Sequence, residues 1–323
     1  MKLLLDIGNT RIKYALLDSG RLTDSTSFAR SKTGIKAALN SQFKTTKDIT
    51  AVFVSNVAGE KIVQQLTEWT EKKWGVTPKF IQSERRRFGV TNSYSQAELL
   101  GIDRWLALIA ARQHARMATC IIDCGTAITV DIVTKNGSHQ GGMILPGLTL
   151  MRESLTSNTS DLNDTVEESS FKALAVNTQT AIQTGTLYTV TASLERLIDD
   201  LKAQFNNRIR FIITGGDAEI IMPLIAANIA HYPDIVLKGL AYYARQGDKR
   251  HQQKAEAEKS DHTTSETETV ETVETVETVE TVESVEAVEA VEAVEAVEAV
   301  EAVEAVEAVE AVEAVEAVEA VEA

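Results

Sequence analysis

One device occurs twice in this chain. The opening stretch "LLLDIGNTRIKYALLDSGRL" and the later "IIDCGTAITVDIVTKNGSHQ" follow one plan: an apolar strand runs into Asp and Gly, turns at Thr, returns as a second strand, turns at Gly and starts a third. Each copy needs a sheet on which to bury its strand, so the chain must build two α/β halves with mixed sheets. Helical and strand patterns follow each copy. After the first come "TGIKAALNSQF", the strand "DITAVFVSNV", the amphipathic helix "GEKIVQQLTEWTEKKWG" ended by Gly75, and "TPKFIQS". "RWLALIAARQHAR" then predicts a strong helix between the copies. After the second come the long helical stretch "TQTAIQTGTLYTVTASLERLIDDLKAQF", the strand "RIRFIITGG", a helix over "DAEIIMPLI" and a last helix near "VLKGLAYYARQ". The expected divisions are residues 1–115, 116–248 and 249–323.

The last of these is set apart by composition. From Val270 the chain repeats "VET" and then "VEA" to Ala323, with Glu at every third position. A helix there would carry a drifting band of like charge, so a solvated tail, partly helical or disordered, is expected. Residues 251–323 hold 23 acidic side chains against Lys254 and Lys259, a net of −21. The first 250 residues hold 24 acids against 30 Lys and Arg, a net of +6, so the acidity of the chain belongs to its tail. A mildly basic body suits a small polyanionic ligand and does not argue for nucleic acid. The start "MKLLLD" is too short for a signal-peptide core, and no run reaches the roughly 18 apolar residues of a membrane span. A cytoplasmic protein is expected, with no membrane partner and no known partner for the tail. Cys120 and Cys124 lie about 13 Å apart in an extended strand, too far for a disulfide, and read as buried thiols. The five His show no metal-ligand spacing.

An Asp-Gly hairpin at the end of a buried strand aims backbone N–H groups and a hydroxyl at one point, which suits phosphate oxygens, while the Asp offers a hard oxygen for Mg²⁺. Alone, "DIGNT" is equally an ordinary turn. "DCGTA" at 123–127 repeats it, "GGMILPG" at 141–147 predicts a Gly-rich bend, and "TGGDA" at 214–218 ends a strand before a helix. Together these predict two hairpins gripping the phosphates of a nucleotide. Neither a Walker GxxxxGK[ST] nor a GxGxxG is present. Asp103 of "GIDR", just before a helix, reads on its own as a helix N-cap.

Taken in order, "DIGNT", "GIDR", "DCGTA", "GGMILPG", "NTQTAIQTG" and "TGGDA" resemble the type III pantothenate kinases, members of the actin-like superfamily of acetate and sugar kinases, over roughly residues 2–245. The resemblance implies two actin-like, ribonuclease H-like halves facing a nucleotide cleft, and ATP-dependent phosphorylation of pantothenate to 4'-phosphopantothenate, the first step of coenzyme A synthesis. It makes Asp103 the base that takes the hydroxyl proton. It assigns Asp6, Ile7, Gly8, Asn9, Thr10, Arg11, Ile12 and Lys13, with Thr126, to ATP, and Tyr94, Gly101, Ile102, Asp103, Arg104 and Thr178 to pantothenate. Asp123 would hold a monovalent cation, K⁺ or NH₄⁺, and Asp6 would serve Mg²⁺ with ATP. The family also implies a homodimer whose pocket borders the partner chain. The substrate loop departs from the family in lacking a proline between Tyr94 and "GIDR". Two other readings stand beside the kinase: a regulatory protein like the Bvg accessory factors, and a kinase of the same superfamily with another hydroxyl substrate.

Overall fold

The computed structural model describes residues 1–31, 34–156 and 174–246, all within a compact unit spanning Met1–Ala257. The expected tail at 249–323 lies outside the described residues. Strand β1 (Lys2–Ile7) returns as β2 (Arg11–Asp18), against which β3 (Arg21–Leu22) and β4 (Thr26–Ala29) both pair antiparallel. Helix α1 (Lys36–Gln42) leads to β5 (Ala51–Asn56), parallel to β1, and α2 (Glu60–Trp74) leads to β6 (Lys79–Phe80), parallel to β5. The third strand expected from "GRLTDSTSFA" is thus two short strands. The run "LLL" is continuous because both faces of β1 are covered. Leu3, Leu5 and Ile7 pack with Leu39, Ile62, Leu66 and Trp69 of α1 and α2, and Leu4 joins a second core on the opposite face. Gly75 ends α2 at φ 69°, a left-handed cap that suits glycine.

A ribbon of β7 (Arg86–Arg87) and β8 (Val90–Thr91) precedes a 3₁₀ turn at Ala97–Leu99 and helix α3 (Ile102–His114). The second copy then forms β9 (Ala118–Cys124), β10 (Ala127–Val133) and β11 (His139–Pro146). Helices α4 (Leu148–Thr156) and α5 (Thr178–Gln204) lead to β12 (Ile209–Thr214), α6 (Ala218–Ile221) to β13 (Ala230–His231), and α7 covers 235–246.

The two main sheets have the same topology. One runs β3-β2-β1-β5-β6 and the other β11-β10-β9-β12-β13, each with three antiparallel strands followed by two parallel ones and helices in the crossovers. This is the ribonuclease H-like plan, and two copies in one chain make the actin-like architecture. Helix α3 lies in the core that both copies share: Trp105, Leu106 and Leu108 pack with Leu4 and Phe53 of the first, Ile121 and Ile212 of the second, and Ile235 and Leu240 of α7. That burial on every side explains the Ala- and Leu-rich sequence of α3.

Candidate active site

Asp6 and Asp123 occupy the same place in the two sheets, one residue before the end of β1 and of β9. Ser55 on the parallel neighbour donates to Asp6 Oδ1 at 3.0 Å. Burial raises the Asp6 pKa to about 7, with the charges of Asp103 and Asp123 adding to the rise against the pull of Ser55 and Lys13. Burial likewise raises Asp123 to about 6, with Asp103 adding to the rise and Lys13 opposing it. Asp103 is also raised, first by burial, and its own neighbour Arg104 N–H donates to Oδ1 at 2.8 Å. These carboxylates repel one another, with Lys13 the counter-charge for Asp6 and Asp123 and Arg104 that for Asp103. Among the described residues there is no cluster of three His, Cys, Asp or Glu able to hold a metal by protein ligands alone.

The hairpin turns meet tip to tip. Thr10 Oγ1 and Thr126 Oγ1 are 2.9 Å apart, and both residues are exposed. Gly8 N–H is spent on Arg11 carbonyl at 3.0 Å, and Gly125 N–H on Ala127 carbonyl at 3.1 Å. Ile7 and Ile12 are fully buried in the core, so only their backbones can face a ligand. Arg30 clamps the first turn, its backbone N–H donating to Thr10 carbonyl and its Nε to Asn9 carbonyl at 2.8 Å each. Arg11 reaches Ser27 Oγ at 3.4 Å, at the edge of the turn. Lys13 Nζ donates to Pro233 carbonyl at 3.2 Å, tying the first hairpin to the loop before α7.

"TGGDA" packs onto the second hairpin: Asp217 N–H donates to Cys124 carbonyl at 2.9 Å, and a Cβ on Gly215 would stand 2.3 Å from that same carbonyl oxygen. The helix after it, α6, is a single turn continued by the 3₁₀ turn Met222–Leu224, so its dipole offers an anion little. "GGMILPG" is strand β11 as far as Pro146, and its bend is a register irregularity near Gly141, whose φ is 89°. Gly142 lies opposite Asp131, where a Cβ would stand 2.5 Å from Asp131 Oδ1 and 2.6 Å from Arg104 Nη2, so bare backbone makes room for that pair.

The N-cap position of α3 is Gly101 and not Asp103, which sits in the first helical turn and uses its carboxylate to accept from the backbone N–H of Arg104. A Cβ on Gly101 would come within 2.7 Å of Asp103 Oδ1, so glycine leaves the carboxylate its place. Arg104 is buried at 7% exposure and grips Asp131 with two bonds, Nε to Oδ2 and Nη2 to Oδ1, both 2.7 Å, while Nη1 donates to Tyr94 Oη at 3.0 Å. Burial works against its charge, but Asp131 and then Tyr94 hold its pKa above the ordinary value. Arg85 Nη1 fixes the loop by donating to Tyr94 carbonyl at 2.9 Å. Ile102 is buried. Thr178 opens α5 behind the N-cap Asn177, whose side chain accepts from Thr180 N–H at 2.9 Å; no hydrogen bond among the described residues joins Thr178 to Tyr94 or Arg104.

Two residues of this network carry no signal in the sequence. Asp131 sits mid-strand in "VDIV" and His139 begins β11, and only strand register brings them to Arg104. A buried Asp in a strand otherwise apolar is the one feature that could have marked it.

A family model described as type III pantothenate kinase matches residues 2–200. A type III pantothenate kinase from Nitrosococcus oceani is 43% identical over 254 residues, covering 77% of this chain and 96% of that protein. One from Halorhodospira halophila is 33% identical, covering 77% of this chain and all of that protein. Among solved structures, a Baf family protein from Campylobacter jejuni is 22% identical over 76% of this chain and 99% of its own, with a TM-score of 0.47.

Proposed function

Because the chain belongs to the type III pantothenate kinase family, we propose that it transfers the γ-phosphoryl group of ATP to the primary hydroxyl of pantothenate, giving 4'-phosphopantothenate and ADP. The observation that carries this reading is the meeting of the two Asp-Gly hairpins at Thr10 and Thr126, with the Asp103 carboxylate acting electrostatically on both hairpin aspartates.

In this reading the turn backbones of Gly8–Lys13 and the hydroxyls of Thr10 and Thr126 hold the phosphates, and Lys13 offsets their charge. Asp103 takes the proton of the attacking hydroxyl. Its raised pKa suits that task, since a base is most effective when its pKa lies near the working pH. Tyr94, Gly101, Ile102, Arg104 and Thr178 form the pantothenate pocket. Arg104 is already committed to Asp131 and Tyr94, so its part is to shape that pocket rather than to follow the moving phosphoryl group.

Carboxylates held protonation-prone by burial and then by one another's charge fit a site completed by cations. Asp6 suits Mg²⁺ that arrives with ATP, and Asp123 a monovalent K⁺ or NH₄⁺; phosphate oxygens and water would complete each shell, as the lack of an all-protein cluster requires. Bound cations would neutralise phosphate charge as it develops. The chemistry is mainly positioning and charge stabilisation.

Association as a homodimer is supported by exposed apolar side chains on β11, α4 and α5: Met143, Ile144, Leu150, Leu155 and Tyr188, with Ile144 at 64% and Tyr188 at 59% exposure. A cytoplasmic location agrees with the described residues, in which no helix is long and apolar enough to cross a membrane. The carboxylates Asp6, Asp103 and Asp123 are all in place, which favours catalysis over a purely regulatory role.

The test is phosphorylation of pantothenate by the purified protein in K⁺ and in Na⁺, beside Asp103→Asn. Turnover that depends on K⁺ and falls at least about 100-fold in the variant is expected for loss of a general base. A folded wild-type protein inactive on pantothenate but active on another alcohol would transfer the reading to a different substrate.

A further inference from the structure

His139 is buried at 2% exposure, and both of its ring nitrogens are engaged. Nε2 lies 2.9 Å from Asp131 Oδ1 and Nδ1 lies 3.1 Å from Ser93 Oγ. The carboxylate, already accepting twice from Arg104, can only accept, so Nε2 carries a hydrogen; Nδ1 of the neutral ring then accepts from Ser93. The ring also stacks on Tyr94, with centroids 6.1 Å apart and planes 16° from parallel. The contacts close on themselves: His139 to Asp131, Asp131 to Arg104, Arg104 to Tyr94, and Tyr94 back to His139.

Direction follows from the donors. Arg104 Nη1 can only donate, so Tyr94 Oη accepts from it, and no acceptor among the described residues takes the proton of Tyr94. That O–H is left as a donor for a group from outside the loop. Asp131 alone could let the Arg104 fork rock about its two bonds. The imidazole loads Oδ1 from a second side and presses on the Tyr94 ring, so fork and phenol have one mutual arrangement.

We propose that His139 is a positioning residue for the pantothenate pocket: by holding Asp131 and the Tyr94 ring together it fixes the Arg104 fork and presents the Tyr94 hydroxyl as a hydrogen-bond donor to an acceptor oxygen of the substrate. This rests on the assignment of Tyr94 and Arg104 to that pocket under the proposed function. His139 does not touch the reacting atoms in this account, and Asp103 and the hairpins are not asked to move.

The experiment compares wild type with His139→Leu, His139→Gln and Ser93→Ala in steady-state kinetics for each substrate, with pantothenate and ATP binding measured by calorimetry and thermal midpoints recorded. A hydrogen bond to a charged group is lost in His139→Leu, so the KM and Kd for pantothenate should rise about tenfold while those for ATP stay unchanged. His139→Gln, whose amide can still donate to Asp131, should recover most of that loss. Ser93→Ala leaves the packing of the ring intact and should raise the pantothenate constants in the same direction by a smaller factor; it decides the matter if His139→Leu does not fold. Unchanged pantothenate constants in the folded variants, or equal losses for both substrates, overturn the proposal. Wild type that neither binds nor phosphorylates pantothenate overturns the kinase reading and this inference with it, whereas wild-type binding with unaffected variants overturns this inference alone.

Discussion

Asp6 shows how far a single carboxylate in this cleft is held from its preferred state. In the unfolded chain an Asp titrates near ~4, whereas here burial and the neighbouring carboxylates raise it to about 7. Between those values the folded protein binds the extra proton, so stability falls as pH rises through the window and the cost is fully present above it. Asp6→Asn removes the charge and should raise the thermal midpoint of the ligand-free protein at pH 8, with a smaller gain at pH 5, while abolishing turnover. Scanning calorimetry at the two pH values checks this, and a variant no more stable than wild type at pH 8 would contradict it. Asp6 and Asp123 stood out in the sequence because the Asp-Gly turn occurs twice at matching places, whereas Asp103 was picked out only by the resemblance of "GIDR" to the family. Asp131 and His139 were not, since their roles exist only across strands that the sequence does not register.

The elements divide in the same way. The duplicated hairpin was legible as an apolar run broken by Asp and Gly at matching places, and α3 as a strong helix rich in Ala and Leu. "GGMILPG" divides its glycines between two tasks: Gly141 takes a left-handed φ of 89° at a register irregularity in β11, whereas Gly142 lets Asp131 and Arg104 approach, a role set by what lies opposite. "DAEIIMPLI" looked helical throughout, but Pro223 lies within the 3₁₀ turn Met222–Leu224 and an α-helix does not continue through it. The crossing of α3 and α7 depends on another glycine. A Cβ on Gly239 would stand 2.3 Å from Leu106 carbonyl oxygen, on the backbone of the helix it crosses. Gly239→Ala should therefore destabilise the protein by about 1–3 kcal/mol, the range for overpacking a closed core, despite alanine's better helix propensity. Denaturant unfolding measures it, and a variant as stable as wild type would mean that α7 can slide without loss.

For the molecule as a whole, the exposed apolar side chains of β11, α4 and α5 predict a specific failure. Ile144→Lys sets a charge on the exposed face of β11 and should turn a dimer into a monomer in sedimentation equilibrium; its thermal midpoint should match wild type at dilution and fall below it at high protein concentration, where association stabilises the folded wild type. Side chains alternate along a strand, so Ile144 projects from the same face of β11 as Gly142, whose missing Cβ makes room for the Arg104–Asp131 pair. In the proposed reading, one face of one strand serves both the pantothenate pocket and the contact with a second subunit. Self-association and occupancy of the pocket then become linked equilibria, each shifting the other by the same free energy. Where the two favour each other, dilution would be felt as a loss of affinity, and the concentration of the enzyme itself would become a variable in how tightly it holds its substrate.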